Sequence, residues 1–449
     1  MTLINILLGL IGLGIVVFFH ELGHYLAARL VGINVEAFSV GWGKPILKKK
    51  IGFTEYRLGM FPIGGYCKMQ GDSDYNNEAY KNMAEGIKPE KGSYHAASPA
   101  ARILVSFGGP FFNLLFAILL LSILWGIGFE IWTTDNRVIL SSEITGERYP
   151  ADYAGFQTGD RILEINGRKV TNFYEIQDNI VFNQKKNIPV TVERNGSIVH
   201  LQISPELNLE TGARLIGVNQ WIDPVIDTII EDSVAQKAGL KAGDIIISAN
   251  DEPILNTFDF TRIRTQAEDS LTLTYDRNGT IGQVVFKDDD LGGLLGIQWL
   301  ISSYQTPNYS IFGSIGKGIQ ESYKTLIRSV TSLQLLFKGI DLSQAVSGPV
   351  RITHMMGEVA TQGFGQGFGI GFRSIIQFVA LISIALCVMN MLPLPILDGG
   401  MIILFIVEMI RRKPAHPKFI AVFQTCGMVI IFSLMLFALF GDVMYFIRR

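Results

Sequence analysis

Cysteine is scarce in this chain. The 449 residues hold three, Cys67, Cys387 and Cys426, an odd and scattered set. That excludes a disulfide framework and a cysteine-based zinc site; two of the three fall in apolar stretches, where a thiol packs as a small hydrophobe. Charge is scarce too, at 17% of residues with a formal net of -2. No basic domain with interleaved aromatics appears, so nucleic acid is set aside as a partner. No small-residue cleavage site precedes the polar motif of the first apolar stretch, so a removable signal peptide is not expected there.

What fills the chain instead is apolar: 48% of residues are hydrophobic and the mean hydropathy is +0.31. This reads as a polytopic α-helical membrane protein with a soluble portion. Four membrane segments are expected, at residues 1–31, 102–129, 372–400 and 419–449.

Residues 16–29 of the first segment read VVFFHELGHYLAAR. His20 and His24 stand four apart, so on a helix they project from one face a turn apart, with Glu21 beside them. In this HExxH pattern two imidazoles bind zinc and the carboxylate serves a water. Its setting is a membrane span, where ionisable residues are expensive and serve function, an ion relay and a structural helix contact being the other uses. At 1.5 Å per residue His20 lies roughly 24 Å along the helix from Ile4, toward the membrane face reached by residue 30.

The third segment ends in NMLPLPILDGG at 390–400. Pro393 and Pro395 remove backbone donors and interrupt the helix, delivering Asp398 in an apolar context as a third ligand. Two histidines and one carboxylate leave a fourth position for water, the open coordination that zinc catalysis needs. The second segment carries GGPFFN, which places Asn113 among apolar residues. A bond to a neighbouring helix and a role near the metal are both open to it. His354 has no partner at ligand spacing and reads as structural.

Residues 32–101 form a loop whose early part alternates and is broken by GWG, Pro62 and Gly64-Gly65, a pattern of membrane-associated β-hairpins; residues 71–98 read as a polar loop. Lys44, Lys48, Lys49, Lys50, Arg57 and Lys68 crowd this loop, and RRKPAHPK lies in the connection 401–418. By the positive-inside rule both are cytoplasmic, with both termini outside.

An outside region contains a repeat. AGFQTGDRILEINGRKV at 154–170 returns as AGLKAGDIIISANDEPI at 238–254, and LIGV at 215–218 as LLGI at 294–297. Two modules sit in tandem, 130–221 and 222–308. Each resembles a circularly permuted bacterial PDZ domain of α+β type. Such modules accept an extended peptide as an added strand, with Gly155, Gly159, Gly239 and Gly243 as candidate peptide-binding positions, or serve only as spacers. Residues 309–371 begin as an amphipathic helix, expected along the outer membrane surface or as a core helix of the soluble region.

HELGH, GPFFN and NMLPLPILDGG in this order, with FPIGGY between the first two and tandem PDZ-like repeats before the third, resemble the site-2 protease family of intramembrane zinc metalloproteases. The likeness is to the bacterial RseP type and covers nearly the whole chain. It implies Zn2+ as cofactor, ligands at His20, His24 and Asp398, a catalytic glutamate at Glu21, and motif asparagines at Asn113 and Asn390 that position substrate. It further implies residence in the bacterial cytoplasmic (inner) membrane, amid membrane lipid, with the PDZ pair on the periplasmic side. The implied partner is a single-span membrane protein, such as an anti-sigma factor already trimmed by a first protease. A catalytically silent scaffold has no need of the full His-Glu-His-Asp set, and a transporter more commonly shows inverted repeats of spans.

Overall fold

Uncharged runs of Leu, Ile, Val and Phe leave the backbone only itself to bond in hydrocarbon, and a helix satisfies it there. In a computed structural model of the chain, four helices are long and apolar enough to cross a membrane: Asn5–Leu30, Pro99–Ile127, Phe368–Asn390 and Lys418–Tyr445. They are called spans 1 to 4 below, and the protein is a polytopic membrane protein. The structure describes residues 3–71, 89–181, 183, 185–207, 214–287, 295–307, 309–336 and 348–447; most of the polar loop 71–98 lies outside the described residues. The chain divides into a unit of residues 1–129 with 307–449, which carries the spans, and a unit of residues 130–306.

Span 2 shows how local sequence sets an element. Ser98 caps it, its hydroxyl accepting the Ala101 N–H at 3.2 Å, Pro99 takes the first turn, where its missing N–H costs nothing, and Gly128 ends it at φ 73°. Leu104, Phe107, Phe111, Leu115, Leu119, Ile123 and Ile127 are exposed at helical spacing and form its lipid-facing stripe. Its other face meets span 1 where Gly23 and Gly108 touch backbone to backbone; a Cβ on Gly108 would lie 2.5 Å from the Gly23 carbonyl oxygen. Small residues at such a crossing let two helices approach closely.

After span 3 the chain turns through residues 391–397 and starts a new helix, Asp398–Arg411. That helix is tied to span 2 by a buried ion pair, Arg102 Nη2 to Glu408 Oε2 at 2.7 Å, and the guanidinium lies 4.5 Å from the centre of the Phe405 ring. The second Glu408 oxygen accepts the Ala415 N–H at 2.9 Å.

The expected hairpin forms from strands Val35–Ile51 and Thr54–Met69. It folds back on itself. Residues 37–40 pair with 65–68 on one side and with 55–58 on the other, while 47–51 pair with 54–58. The segment 65–69 is thereby left at an edge.

The other unit holds two similar sheets. Its two four-stranded sheets have equivalent orders, each a short strand, a central strand and a long hairpin. Separate apolar cores run from Val138 to Ile216 and from Ile226 to Leu295. Strand Glu130–Trp132 pairs with Ser303–Gln305, joining the first and last strands of the region. In each module the aspartate of the AG-x-x-x-GD motif is buried against an arginine of the long hairpin. Arg194 bonds Asp160 at 2.7 Å and the Gly155 carbonyl at 2.7 Å; Arg277 bonds Asp244 at 2.6 Å and the Gly239 carbonyl at 2.9 Å.

Burial opposes ionisation of Asp244, but hydrogen bonds from Arg277 and the Lys241 amide, with the Arg277 charge, outweigh it and hold the carboxyl below its ordinary range. A carboxyl depressed in the folded state contributes stability above its unfolded pKa of about 4 and loses it as pH falls through the folded value. Asp244→Asn should therefore lower stability at pH 7 and flatten the loss of stability in acid, as read by urea unfolding followed through tryptophan fluorescence. Equal stability of the two proteins at pH 7 would show that the pair does not hold the module together.

Candidate metal centre

His20 and His24 lie one turn apart on span 1, their rings edge to face with centroids 4.8 Å apart and their Nε2 atoms 3.2 Å apart. Asp398, the first residue of its helix, brings Oδ2 to 3.4 Å from His20 Nε2 and Oδ1 to 3.5 Å from His24 Nε2. Zinc bonds to imidazole nitrogen and carboxylate oxygen of about 2.0–2.2 Å give a tetrahedron with edges of roughly 3.3–3.6 Å. The two imidazole nitrogens stand about one such edge apart and approach different oxygens of Asp398, and one ligand atom from each of the three residues lies within 4.8 Å of the others. Among the described residues no other set of three His, Cys, Asp or Glu side chains brings its ligand atoms this close.

Both histidines turn Nε2 inward and use Nδ1 for support. His24 Nδ1 lies 2.8 Å from the Val105 carbonyl oxygen, which makes it the N–H that donates and leaves Nε2 free to bind. His20 Nδ1 lies 3.1 Å from the Asn113 amide nitrogen, while the Asn113 Oδ1 is buried with no hydrogen-bond partner. The two ends of an amide are assigned from such networks. Turning it over satisfies both atoms: Oδ1 accepts the Nδ1–H that an Nε2-ligating His20 carries. Asn113 is itself held from span 3, where the Ser383 hydroxyl donates to its backbone carbonyl at 2.8 Å. The structure places Asn113 beside His20, one of the three candidate ligands, and holds it against span 3 as well.

Two features of the backbone make room. A Cβ on Gly109 would fall 2.7 Å from both His20 Cε1 and His24 Cε1, so only glycine fits there. A Cβ on Gly399 would fall 2.5 Å from the Leu392 carbonyl oxygen, because the 391–397 turn folds back over the helix that begins with Asp398.

Glu21 stands outside the ligand set. The Cys67 backbone hydrogen-bonds its carboxylate, and a Cβ on Gly65 would lie 3.1 Å from its Cγ, which puts the edge segment 65–69 alongside it. Asn390 ends span 3, and its amide bonds no described residue. His354 lies on helix Pro349–Gln366, 3.4 Å from Glu358, and joins none of this.

Gly155, Gly159, Gly239 and Gly243 lie in the other unit at φ 81°, 93°, 87° and 87°. Glycine is required at all four by the turn itself. The Val105 carbonyl, Gly109, Ser383 and the Cys67 backbone were not singled out from sequence; only Gly109, the first residue of GPFFN, carried a signal.

The sequence pattern of peptidase family M50 matches residues 8–434. A protein of Treponema pallidum provisionally named a zinc metalloprotease is 33% identical over 448 residues, covering 98% of this chain and 99% of that one. One of Neisseria meningitidis with the same provisional name is 30% identical, covering 96% of each. The regulator of sigma E protease of Haemophilus influenzae is 30% identical over 96% of this chain and 97% of its own length.

His24→Ala and Asp398→Ala should each purify with far less than stoichiometric zinc by atomic absorption. Asn113→Leu should weaken zinc about 10–100-fold in a chelator competition, and Asn113→Asp, which keeps an acceptor oxygen, should recover much of that loss. Stoichiometric zinc in either ligand variant would mean the ligand set is wrong.

Proposed function

The chain belongs to peptidase family M50, the site-2 proteases, and on that premise we propose that its zinc centre cleaves single-span membrane proteins within or near their transmembrane segment. The observation that carries this is the convergence of His20, His24 and Asp398, with ligand atoms within 4.8 Å of one another, among membrane-spanning helices, with Glu21 beside them and outside the set. His20, His24 and Asp398 would hold the metal. What zinc supplies when bound is Lewis acidity, acidifying a water and polarising the scissile carbonyl.

Glu21 takes the proton from that water and passes it to the leaving amine. The Cys67 backbone bond keeps its carboxylate pointed there. Asn390, with its amide unengaged at the end of span 3, donates to the substrate backbone or to the charge that develops on the carbonyl oxygen.

A substrate helix arrives with its peptide groups already bonded internally, and cleavage requires that it unwind. The edge segment 65–69, next to Glu21, offers the released donors and acceptors a strand to pair with. In this reading the residue types around Gly65 place the extended segment over the base.

The basic loops orient the protein in the bacterial inner membrane with the hairpin inside and the repeat unit outside. The substrate class is a single-span protein such as an anti-sigma factor, cut after a first protease has trimmed it; the name of the Haemophilus relative supports this choice. We place peptide binding by the PDZ-like repeats, at Gly155, Gly159, Gly239 and Gly243, in the same proposal. A free carboxyl terminus left by trimming suits such modules.

Glu21→Gln should keep stoichiometric zinc and lose cleavage of a reconstituted single-span substrate by at least about 10²-fold. Full activity in that variant would end the mechanism. For orientation, a cysteine at Asn195 should react with an impermeant reagent in intact spheroplasts and one at Lys49 should not; the reverse pattern would invert the topology.

A further inference from the structure

Helix Asp398–Arg411 and span 4 leave a slot between them. Span 4 meets the 391–397 turn at Gly427, where a Cβ would stand 2.5 Å from the Pro395 carbonyl oxygen. At the other end the short connection after Arg411 joins the two helices. Between these points lies a cavity of about 220 Å³. Its walls are apolar, with Ile403 and Val407 on the helix and Phe419 and Phe423 on span 4, the two rings stacked with centroids 5.9 Å apart. Ile403, Val407 and Phe419 are exposed by 44%, 40% and 55%, so the slot is open to the outside.

The mouth is basic. Arg411, Lys413 and His416 line it, and Arg412 and Lys418 adjoin them in sequence. Among the described residues no carboxylate pairs with Arg411, Arg412, Lys413 or Lys418. The single acid in the lining, Glu408, is already engaged: Arg102 Nη2 donates to Oε2 at 2.7 Å and the Ala415 N–H to Oε1 at 2.9 Å. Its charge is met inside the protein, which leaves the cations at the mouth free to take an anion from outside. The dipole of a helix C-terminus accounts for a cation at Arg411, but not for an open apolar slot beneath it.

We propose that this slot binds one anionic phospholipid, its phosphate held by Arg411 and Lys413 and an acyl chain laid along Val407, Phe419 and Phe423. Basic pockets between membrane helices recognise anionic headgroups in this way. A soluble phosphate would leave the apolar walls bare, and an uncharged chain would leave the cations without a partner. Phosphatidylethanolamine meets both needs less well, because its own ammonium accompanies the phosphate. Along the helix Arg411 stands about 20 Å from Asp398 at 1.5 Å per residue, so the lipid touches no metal ligand. Glu408 nevertheless belongs both to the wall of the slot and to the ion pair that ties this helix to span 2.

The test is native mass spectrometry of the full-length, zinc-loaded protein in detergent, equilibrated with equal amounts of phosphatidylglycerol and phosphatidylethanolamine. The wild type should retain one phosphatidylglycerol several-fold over phosphatidylethanolamine. Arg411→Gln/Lys413→Gln should lose that preference, and Val407→Trp, which fills the slot and leaves the charges in place, should lose retention. Lys48→Gln/Lys50→Gln, which removes the same charge elsewhere, should behave as wild type. Equal retention of the two lipids by the wild type overturns the proposal, as does wild-type behaviour of either slot variant. A loss as large in the Lys48/Lys50 variant would mean attraction by net charge alone and also overturns it. Glycerol 1-phosphate, the soluble part of the headgroup, should not displace the lipid; displacement would mark a free-anion site instead. Should the slot variants purify without zinc, the wild-type protein answers: phosphatidylglycerol with a diazirine in its acyl chain should label peptides from 403–423 several-fold more than the matching phosphatidylethanolamine, and equal labelling or none there overturns the proposal.

Discussion

The candidate metal centre depends on the backbone contact between spans 1 and 2 at Gly23 and Gly108, with Gly109 set against the two imidazoles. A metal site in hydrocarbon must find all its polar support inside the protein, since lipid offers none. With the two helices in contact, His24 reaches the Val105 carbonyl and His20 reaches Asn113, both on span 2. Any side chain at Gly109 would occupy the space of the imidazoles. The two histidines owe their spacing to span 1 but their ring orientation to span 2.

Asp398 reaches the site by a different device. The prolines of 391–397 break the helix so that Asp398 opens a new one, where a carboxylate is favoured by the positive end of the helix dipole. The buried Arg102–Glu408 pair then holds the far part of that helix to span 2. Replacing a buried pair by apolar residues is often neutral, whereas losing one partner costs about 3–5 kcal/mol. The pair thus fixes the helix that begins with Asp398 against span 2.

The repeats in the other unit solve a separate problem by the same means, charge held against backbone. In each, an arginine joins the buried motif aspartate to the carbonyl of the glycine that opens the turn. The recurrence of aspartate, arginine and two left-handed glycines in both modules is accounted for by this turn, before any ligand is considered. The same preference for satisfying charge inside the protein shapes helix Ile311–Leu336, where Lys317 lies over the Trp125 ring of span 2 and Lys324 pairs with Glu321, while Ile311, Phe312 and Ile319 are exposed.

The sequence alone indicated the four spans and nominated the residues of the candidate centre. These signals are local: an uncharged run is a span wherever it lies, and His20, Glu21 and His24 are brought together by helical periodicity within five residues. Asp398 was legible because two prolines and a carboxylate are costly within an apolar run unless a site there uses them. Which ring nitrogens face Asp398, the support from Val105, Asn113 and Ser383, and the closeness of Gly65 to Glu21 were decided only by the tertiary structure. Each joins residues tens to hundreds apart through backbone atoms or ring faces, which carry no residue-type signature. The amphipathic pattern of Ile311–Leu336 was equally visible in the sequence, but not its sense. Periodicity reveals that a helix has two faces, while packing against spans 2 and 3 determines which one faces out.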